Sequence, residues 1–224
     1  SRGTFDITIG AASRLWNLKR GIIPQDETLA EAVRHVDWHG VRVEREGSRA
    51  RVRLDDPAAM IDLGGIAKGW IADALDATLA QTGILGYVID LGGNILVRGD
   101  KPDGSPWTIG LPNPACGPGA RERMKPVGTI RIASGSVVTS GVYERARMCD
   151  GVLYHHVLNP KTGMPIAVEH PAVSVVCERS IDAEGFSTTL LALGIEKSRE
   201  LAAEHPEVLQ AYFITWDGEV VALR

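Results

Sequence analysis

The sequence predicts an α+β fold of the mixed α/β kind. Helix-period and strand-period segments alternate along the 224 residues, and short turns separate several of the strand pairs. Twenty-five glycines gather at the segment boundaries, where the backbone has to turn sharply or approach a ligand closely. Strands joined by such short turns form antiparallel hairpins, which argues against a purely parallel sheet.

Four segments carry the apolar spacing of a helix. The predicted stops are Gly83 and Gly194, as glycines that follow a helix, and Pro206. The helical segments are residues 26–36, 66–81, 186–193 and 195–204. In the second of them the apolar side chains that share one helical face are Ile66, Trp70, Ile71, Ala74, Leu75 and Leu79.

Alternating or continuous apolar runs predict the strands, several of them in hairpins. The strand segments are residues 41–43, 52–54, 87–90, 95–98, 107–111, 127–133, 173–177, 210–215 and 220–223. Asp217-Gly218 supplies the turn of the last hairpin. Residues 112–126 contain four prolines and two glycines and predict the longest loop.

Composition and charge exclude several classes of protein. The chain is 44% hydrophobic and 23% charged, which is typical of a globular protein and not of a disordered one. Its net charge of −4 is a poor basis for binding nucleic acid, whose affinity depends on neutralising phosphates. We also expect no membrane-spanning segment, because no apolar run reaches roughly 18 residues. Three scattered cysteines, Cys116, Cys149 and Cys177, indicate neither a disulfide framework nor a metal site.

The strongest local motif is Asp62-Leu63-Gly64-Gly65-Ile66-Ala67-Lys68-Gly69, at the start of a predicted helix. A helix N-terminus offers N–H groups and the positive end of the dipole, and Lys68 adds a full charge. This combination is typical of a phosphate site. The alternative interpretation of the same residues is a glycine-rich turn with a solvated lysine that binds no ligand.

Two further polar strings allow a binding or a structural interpretation. Asp90-Leu91-Gly92-Gly93-Asn94 repeats the Asp-Leu-Gly-Gly pattern and is compatible with a nucleotide contact or with a hairpin turn. Thr139-Ser140-Gly141, followed by Tyr143-Glu144-Arg145, suits phosphate or ribose, but Tyr143 is equally compatible with the core.

His155 and His156 are adjacent in a predicted strand, so they point to opposite faces and do not share a metal ion. One of them is a candidate acid–base group, although surface histidines are common. Asp182-Ala183-Glu184-Gly185-Phe186-Ser187-Thr188 reads as helix caps or as oxygen ligands of Mg²⁺. The other four histidines are interpreted as structural.

Taken in chain order, these strings resemble the ApbE-type FAD:protein FMN transferases. The order of the motifs makes the resemblance specific, and it extends from residue 3 to residue 194. The matching stretches are Gly3-Thr4-Phe5-Asp6 with Gly10, Leu15-Trp16, Asp62 to Gly69, Asp90 to Asn94, Trp107, Thr139 to Arg145, His156 to Pro165, and Ser187 to Gly194.

The resemblance implies that FMN is transferred from FAD to a Thr or Ser hydroxyl of an acceptor protein, with release of AMP and with Mg²⁺. It assigns His156 as the catalytic residue. The implied Mg²⁺ ligands are Glu184, Ser187, Thr188 and the carbonyl of Gly65. The implied FAD contacts are Thr4, Phe5, Asp6, Asp62, Gly64, Lys68, Asp90, Gly92, Gly93, Asn94, Thr139, Ser140, Gly141 and Arg145.

The chain departs from the family pattern at two positions. Glu184 stands where relatives carry Asp, and its extra methylene changes the geometry offered to Mg²⁺. Asp182 lies two residues earlier and is an alternative ligand. Asn159 replaces the usual Asp after the histidine strand, which removes a charge near His156 and is expected to lower its pKa.

The resemblance also implies a partner and a location. The acceptor would be a subunit of a membrane electron-transport complex, such as a sodium-pumping quinone reductase, and a periplasmic or cell-envelope location is favoured. We expect residues 1–224 to form a single ApbE-like domain without the N-terminal segment of relatives. Two alternatives share the same site: an FAD pyrophosphatase, in which water replaces the acceptor hydroxyl, and a non-catalytic FAD-binding module.

Overall fold

The computed structural model describes residues 1–114 and 125–223, which form two compact units. One unit is Ser1–Leu63 with Arg145–Ile166, and the other is Gly64–Glu144 with Ala167–Arg224. The mixed α+β class is confirmed. Cys116 and most of the predicted loop 112–126 lie outside the described residues, and the single-domain organisation stays a prediction.

The helices are short apart from the last two. They are α1 (Gly10–Ser13), α2 (Asp26–Ala32), α3 (Ala67–Leu79) and α4 (Ser180–Glu204). The strands are β1 (Val41–Glu46), β2 (Arg49–Leu54), β3 (Tyr87–Asp90), β4 (Asn94–Arg98), β5 (Trp107–Leu111), β6 (Gly128–Ile132), β7 (Gly135–Gly141), β8 (Ala146–Cys149), β9 (Val152–His155), β10 (Ala172–Cys177), β11 (Gln210–Ile214) and β12 (Val220–Ala222). Three 3₁₀ turns are Val33–His35, Trp38–Gly40 and Ala80–Thr82.

A six-stranded sheet forms the centre of the second unit, in the order β12-β11-β10-β7-β4-β3. Each neighbouring pair is antiparallel, as the hairpin turns predict. All six residues of β10 are buried, because this strand is covered on both faces. The strand β7 beside it was not predicted, since its sequence GSVVTSG reads as a glycine-rich turn.

The two faces of this sheet pack against different elements. On β4, Ile95 and Val97 join the apolar cluster that the hairpin β5-β6 contributes to. The alternate residues Asn94 and Leu96 point to the opposite face, where Leu96 meets Ala72 of α3. That second face is therefore the one that receives the two long helices, and it carries the buried polar residue Asn94 at the start of β4.

Helix α4 begins at Ser180, six residues before the predicted start at Phe186. The polar stretch 182–188 consequently lies inside the helix, so its interpretation as caps is wrong. Asp73 of α3 supplies the cap instead, accepting the N–H groups of Ser180 at 2.7 Å and Ile181 at 3.0 Å. Gly194 interrupts the helix as predicted, with φ 74° and ψ 173°, a region that is essentially open only to glycine.

Helix α3 turns a different face inward from the one its apolar pattern predicts. Trp70 is 63% exposed and Ile71 42%, whereas Gly69 and Ala72 are buried. The reason is the closeness of α4: a Cβ at position 69 would stand 2.6 Å from the Cα of Ile181. Only small residues fit such an interface, so the bulky ones face outward. The predicted stop is confirmed, because Gly83 adopts the left-handed conformation after the final 3₁₀ turn.

An ion pair fixes the other end of α3 to the sheet. Asp76 accepts a hydrogen bond from the Nε of Arg98 on β4 at 2.6 Å, and the Tyr87 hydroxyl of β3 donates to it at 2.9 Å. The Arg98 guanidinium holds the pKa of the Asp76 carboxyl below its usual value. Two residues of α3 thus anchor it to its neighbours: Asp73 accepts hydrogen bonds from α4, and Asp76 accepts one from β4.

The first unit is built around α1, α2 and the hairpins β1-β2 and β8-β9. Leu29 of α2 is fully buried, and Gly163 packs so closely that a Cβ there would lie 3.0 Å from its side chain. Trp16 Nε1 donates to the Gly163 carbonyl at 3.0 Å. The hairpin β1-β2 was predicted, and it is three residues longer in each strand.

Within residues 1–114 and 125–223, no helix has both the length and the apolar character that crossing a bilayer requires.

We predict that Gly69→Ala destabilises the protein by about 1–3 kcal/mol, the usual cost of overpacking. Alanine normally favours a helix by up to about 1 kcal/mol over glycine, but here the added methyl meets the backbone of α4 at 2.6 Å. Thermal unfolding of the variant measures the effect. Ala74→Ser, on the exposed side of α3, is the control and should leave the melting temperature unchanged. An unchanged or higher melting temperature for Gly69→Ala would contradict the close approach of the two helices.

Candidate functional site

A buried carboxylate lies between α3, α4 and the sheet. The side chain of Glu184 is 6% exposed, and Lys68 Nζ lies 3.1 Å from its Oε1. Its Oε2 accepts a short hydrogen bond from the Nδ2 of Asn94. A buried carboxylate without partners costs several kcal/mol, and this pair of donors offsets that cost for Glu184.

The Asn94 amide is held in turn by serines. Ser180 Oγ donates to Asn94 Oδ1 at 2.7 Å, and both residues are fully buried. Ser136 Oγ on β7 lies 3.0 Å from Ser180 Oγ and 3.0 Å from the carbonyl of Ile95. Together these groups form a polar network, Glu184–Asn94–Ser180–Ser136, between the sheet and α4. The sequence did not point to Ser136 or Ser180, and no spacing along the chain could have shown their contact.

Three hydroxyls gather one turn further along α4, and we call them the hydroxyl cluster: Ser140, Ser187 and Thr188. Ser140 Oγ on β7 lies 2.8 Å from Ser187 Oγ and 3.2 Å from Thr188 Oγ1. Ser187 also donates to the Glu184 carbonyl at 3.0 Å. The predicted ligands Glu184, Ser187 and Thr188 therefore share one stretch of α4 at the spacings i, i+3 and i+4, which lie on one side of a helix.

Lys68 stands in the first turn of α3, which begins at Ala67 without a capping side chain from Ile66. The first N–H groups of a helix have no acceptor within it, and they carry the positive end of the dipole. Lys68 is 38% exposed, so its ammonium reaches solvent as well as Glu184. This end of α3 has the charge and the donors that suit an anion such as phosphate.

The second glycine string forms the turn between β3 and β4. Asp90 Oδ1 accepts the N–H groups of Gly92 at 2.9 Å and Gly93 at 3.3 Å, and both glycines have positive φ angles. Thr139 N–H donates to the Gly93 carbonyl, which ties the turn to β7. Of the two interpretations left open by the sequence, the hairpin turn is therefore present. It places Asn94 at the start of β4, where its Nδ2 donates to Glu184 Oε2.

Thr139 and Gly141 have internal contacts of their own on β7. Thr139 Oγ1 lies 2.7 Å from Ser174 Oγ on β10. A Cβ at position 141 would lie 2.6 Å from the ring of Tyr143, so the glycine makes room for a buried aromatic side chain. These contacts show that Thr139 and Gly141 both contribute to the packing of the fold, whether or not they bind a ligand.

Six predicted site residues belong to the other unit: Thr4, Phe5, Asp6, Asp62, Arg145 and His156. Asp6 and Asp62 accept hydrogen bonds from residues of the same unit. Asp6 Oδ1 accepts the N–H and the hydroxyl of Thr8 at 2.8 and 2.6 Å, and Asp62 Oδ2 accepts the Ser13 hydroxyl at 2.7 Å. These bonds show that the two carboxylates stabilise the fold of that unit.

The two adjacent histidines differ in burial, and the strand β9 ends at the first of them. His155 is buried, its Nε2 donates to the Ile166 carbonyl at 3.1 Å, and its Nδ1 accepts the Val157 N–H at 3.3 Å. Burial lowers the pKa of His155, so it is a neutral structural residue. His156 is exposed and is the one of the two able to meet a ligand. Asn159 Oδ1 accepts the N–H of Lys161 in the following turn.

The donor set around Glu184 fits a hard cation in kind. It consists of oxygen atoms only, namely a carboxylate and the hydroxyls of Ser187 and Thr188, with the Gly65 carbonyl implied by the resemblance. Each oxygen of the Glu184 carboxylate keeps a lone pair beyond its present bond. Asp182 turns to another side of α4, where it lies 4.0 Å from Arg179 Nε.

Within residues 1–114 and 125–223, no three His, Cys, Asp or Glu side chains come together as a metal centre. Glu184 is the one acidic member of the donor set described above, and Lys68 Nζ lies 3.1 Å from its Oε1. Mg²⁺ characteristically uses one or two carboxylates and completes its shell with substrate phosphates. The donor set therefore fits a metal that enters with a phosphate ligand.

A model of the ApbE family matches residues 1–213. The chain belongs to the ApbE family. Its relatives include an "FAD:protein FMN transferase" of Treponema pallidum, 36% identical over 235 residues, which cover 99% of this chain and 63% of that protein. A protein of the same name from Klebsiella pneumoniae is 32% identical over 217 residues, or 97% of this chain and 65% of that protein. The chain thus spans less than two thirds of the length of these curated relatives.

Solved structures of two ApbE proteins are similar to the fold of this chain. The ApbE protein of Thermotoga maritima superposes with a TM-score of 0.83 at 28% identity, covering 98% of this chain and 70% of that one. The flavin transferase ApbE of Vibrio cholerae gives 0.81 at 28% identity, covering 99% and 69%. The family resemblance drawn from the ordered motifs is therefore confirmed.

We predict that His155 makes the protein less stable in mild acid. Because burial lowers its pKa in the folded chain, the unfolded chain takes up this proton first as the pH falls below about 6.5, and the free energy of unfolding decreases there. His155→Gln removes this contribution, so its melting temperature should depend less on pH between 7 and 5. His156→Gln, at the exposed neighbour, is the control and should keep the wild-type dependence. The same pH dependence in His155→Gln and the wild type would contradict the assignment.

Proposed function

We propose that this chain transfers FMN from FAD to a Thr or Ser hydroxyl of an acceptor protein, with Mg²⁺ and with release of AMP. The observation that carries the proposal is the Lys68–Glu184 pair at the start of α3, where Ile66 provides no side-chain cap. The hydroxyl cluster, formed by α4 and β7, follows Glu184 by one helical turn. The Lys68–Glu184 pair brings an anion-binding cation and a hard-metal carboxylate within 3.1 Å of each other. A pyrophosphate that carries a divalent cation is the ligand that uses both.

In this proposal Lys68 and the first N–H groups of α3 bind the pyrophosphate of FAD. Glu184, Ser187, Thr188 and the Gly65 carbonyl would hold Mg²⁺, which would supply charge neutralisation at the phosphate. Transfer of a phosphoryl-type group needs this neutralisation and in-line positioning more than covalent chemistry. The sheet and the two anchored helices provide the rigidity that such positioning demands.

The remaining assignments rest on the family resemblance. His156 is proposed to accept the proton of the acceptor hydroxyl, for which an exposed imidazole is suited. Thr4, Phe5, Asp6, Asp62 and Arg145 of the first unit are proposed to contact FAD outside the pyrophosphate. The acceptor is proposed to be a subunit of a membrane electron-transport complex in the cell envelope.

Mass spectrometry of an acceptor domain incubated with this chain, FAD and Mg²⁺ tests the function. An increase by one FMN that EDTA prevents would support the transferase. Free FMN and AMP without a modified acceptor would replace it with the pyrophosphatase alternative. If FAD binds to this chain but is recovered chemically unchanged, the chain is a non-catalytic FAD-binding module, and the proposal is overturned.

We predict that Glu184→Gln abolishes Mg²⁺-dependent turnover while the protein remains folded. The amide fills the same volume and still accepts a hydrogen bond, but it removes the one acidic ligand that the donor set contains. Asp182→Asn makes the same chemical change two residues away on α4 and should retain wild-type turnover. FMN transfer followed against Mg²⁺ concentration measures both. Turnover of Glu184→Gln equal to that of the wild type would place the metal elsewhere.

We predict that Lys68 and His156 separate binding from transfer. Lys68→Met keeps the aliphatic stem and removes the charge, so FAD affinity should fall by about 1.5–3 kcal/mol, the value of a hydrogen bond to a charged group. His156→Ala should lower the transfer rate far more than the affinity for FAD, because its proposed role is in proton transfer. Flavin fluorescence titration gives the affinities and single-turnover transfer gives the rates. Unchanged FAD affinity in Lys68→Met, or equal losses in His156→Ala, would contradict these roles.

A further inference from the structure

The Asn94 side chain is committed to the interior of the protein. The residue is fully buried at the start of β4, its Oδ1 accepts the Ser180 hydroxyl at 2.7 Å, and its Nδ2 donates to Glu184 Oε2. Both ends of the amide are thus engaged by α4, one turn of helix apart. An amide in this position is poorly suited to direct contact with FAD, which the family resemblance implied for it.

The two bonds of Asn94 also have a fixed direction. Because Ser180 gives its proton to Oδ1, the NH₂ group is the end that faces Glu184, and a carboxylate accepts only from a donor. Ser180 itself is held by the Asp73 cap on its N–H at 2.7 Å. The position of the Glu184 carboxylate is therefore set through Asn94 and Ser180 by the contact between α3 and α4.

Asn94 differs from Lys68, the other partner of Glu184, in two ways that matter for a metal. Lys68 is 38% exposed and its ammonium is also the proposed pyrophosphate ligand, so it gives Glu184 a changeable partner. Asn94 is buried and neutral, and a neutral donor orients the carboxylate without adding a charge that would repel a cation. Hydrogen-bond partners of ligating carboxylates are known determinants of metal affinity.

We propose that Asn94 is a positioning residue that holds the Glu184 carboxylate in place for Mg²⁺ and does not itself bind FAD. The inference rests on the proposed function, because it assigns Asn94 a role in that same site. It adds a residue to the machinery that acts through Glu184 and not on the flavin.

The test compares FAD affinity with and without the metal, since a positioning residue and an FAD contact affect these differently. Flavin fluorescence titrations are made without acceptor, in EDTA and over a range of Mg²⁺ concentrations. In Asn94→Ala we expect FAD affinity in EDTA to stay within about twofold of wild type. The Mg²⁺ concentration that gives half of the metal-dependent increase in affinity should rise by roughly 10-fold or more.

A second variant guards against failure to fold. Asn94→Leu combined with Ser180→Ala removes the amide and its hydroxyl donor together and keeps the volume filled, so the Ser180 hydroxyl is not left unpaired and only Glu184 Oε2 loses a donor, which costs less stability than Asn94→Ala. It should show the same rise in the required Mg²⁺ concentration. Ser198→Ala is the control, because this buried serine lies on α4 beyond Gly194 and donates to the Leu190 carbonyl at 3.2 Å, away from Asn94 and Glu184 in the sequence. It should match the wild type in both titrations.

The outcomes separate this inference from the proposed function. Wild-type affinity for FAD that is indifferent to Mg²⁺ would overturn both. Metal-dependent tightening in the wild type that is unchanged in both Asn94 variants would overturn the positioning role alone. Equal losses of FAD affinity with and without Mg²⁺ would make Asn94 a direct FAD contact and would also overturn it.

Discussion

The arrangement of the second unit depends on one constraint, the burial of the Glu184 carboxylate. The side chain of Glu184 on α4 is only 6% exposed, so both of its oxygens need donors. Lys68 supplies one from the start of α3 and Asn94 the other from β4. The Lys68 donor is available only if α3 lies against α4, and Gly69 and the Asp73 cap both occur at that contact.

The interface between the sheet and the helices is unusual for its polarity. Helix–sheet interfaces are normally apolar, and Leu96 with Ala72 follows that rule. Beside them runs a line of buried polar groups from Ser136 to Glu184, together with the hydroxyl cluster. Such groups contribute less to stability than apolar packing of the same volume, and a network is tolerated only where each member is satisfied. Their presence at one end of two anchored helices is typical of a binding site and not of a core.

The fold class and most element positions could be predicted because they follow from local pattern. Hairpins, apolar runs and glycine stops such as Gly83 and Gly194 depend on neighbours in the sequence. The failures have tertiary causes. Strand β7 was missed because its small residues do not alternate by hydrophobicity, and they are small because α4 lies on them. The start of α4 was placed six residues late because its cap, Asp73, comes from another helix.

The sequence by itself determined the family, the order of the motifs and the residue types that a metal–phosphate site requires, since these are written in short contiguous strings. The tertiary structure alone decided which face of α3 is buried. It also decided that Asn94 donates a hydrogen bond to Glu184 and that Ser136 and Ser180 complete the network. Lys68 and Glu184 stand more than a hundred positions apart, so no local spacing relates them. Their contact is decided by the close approach of two helices, and that approach depends on packing that only the folded chain provides.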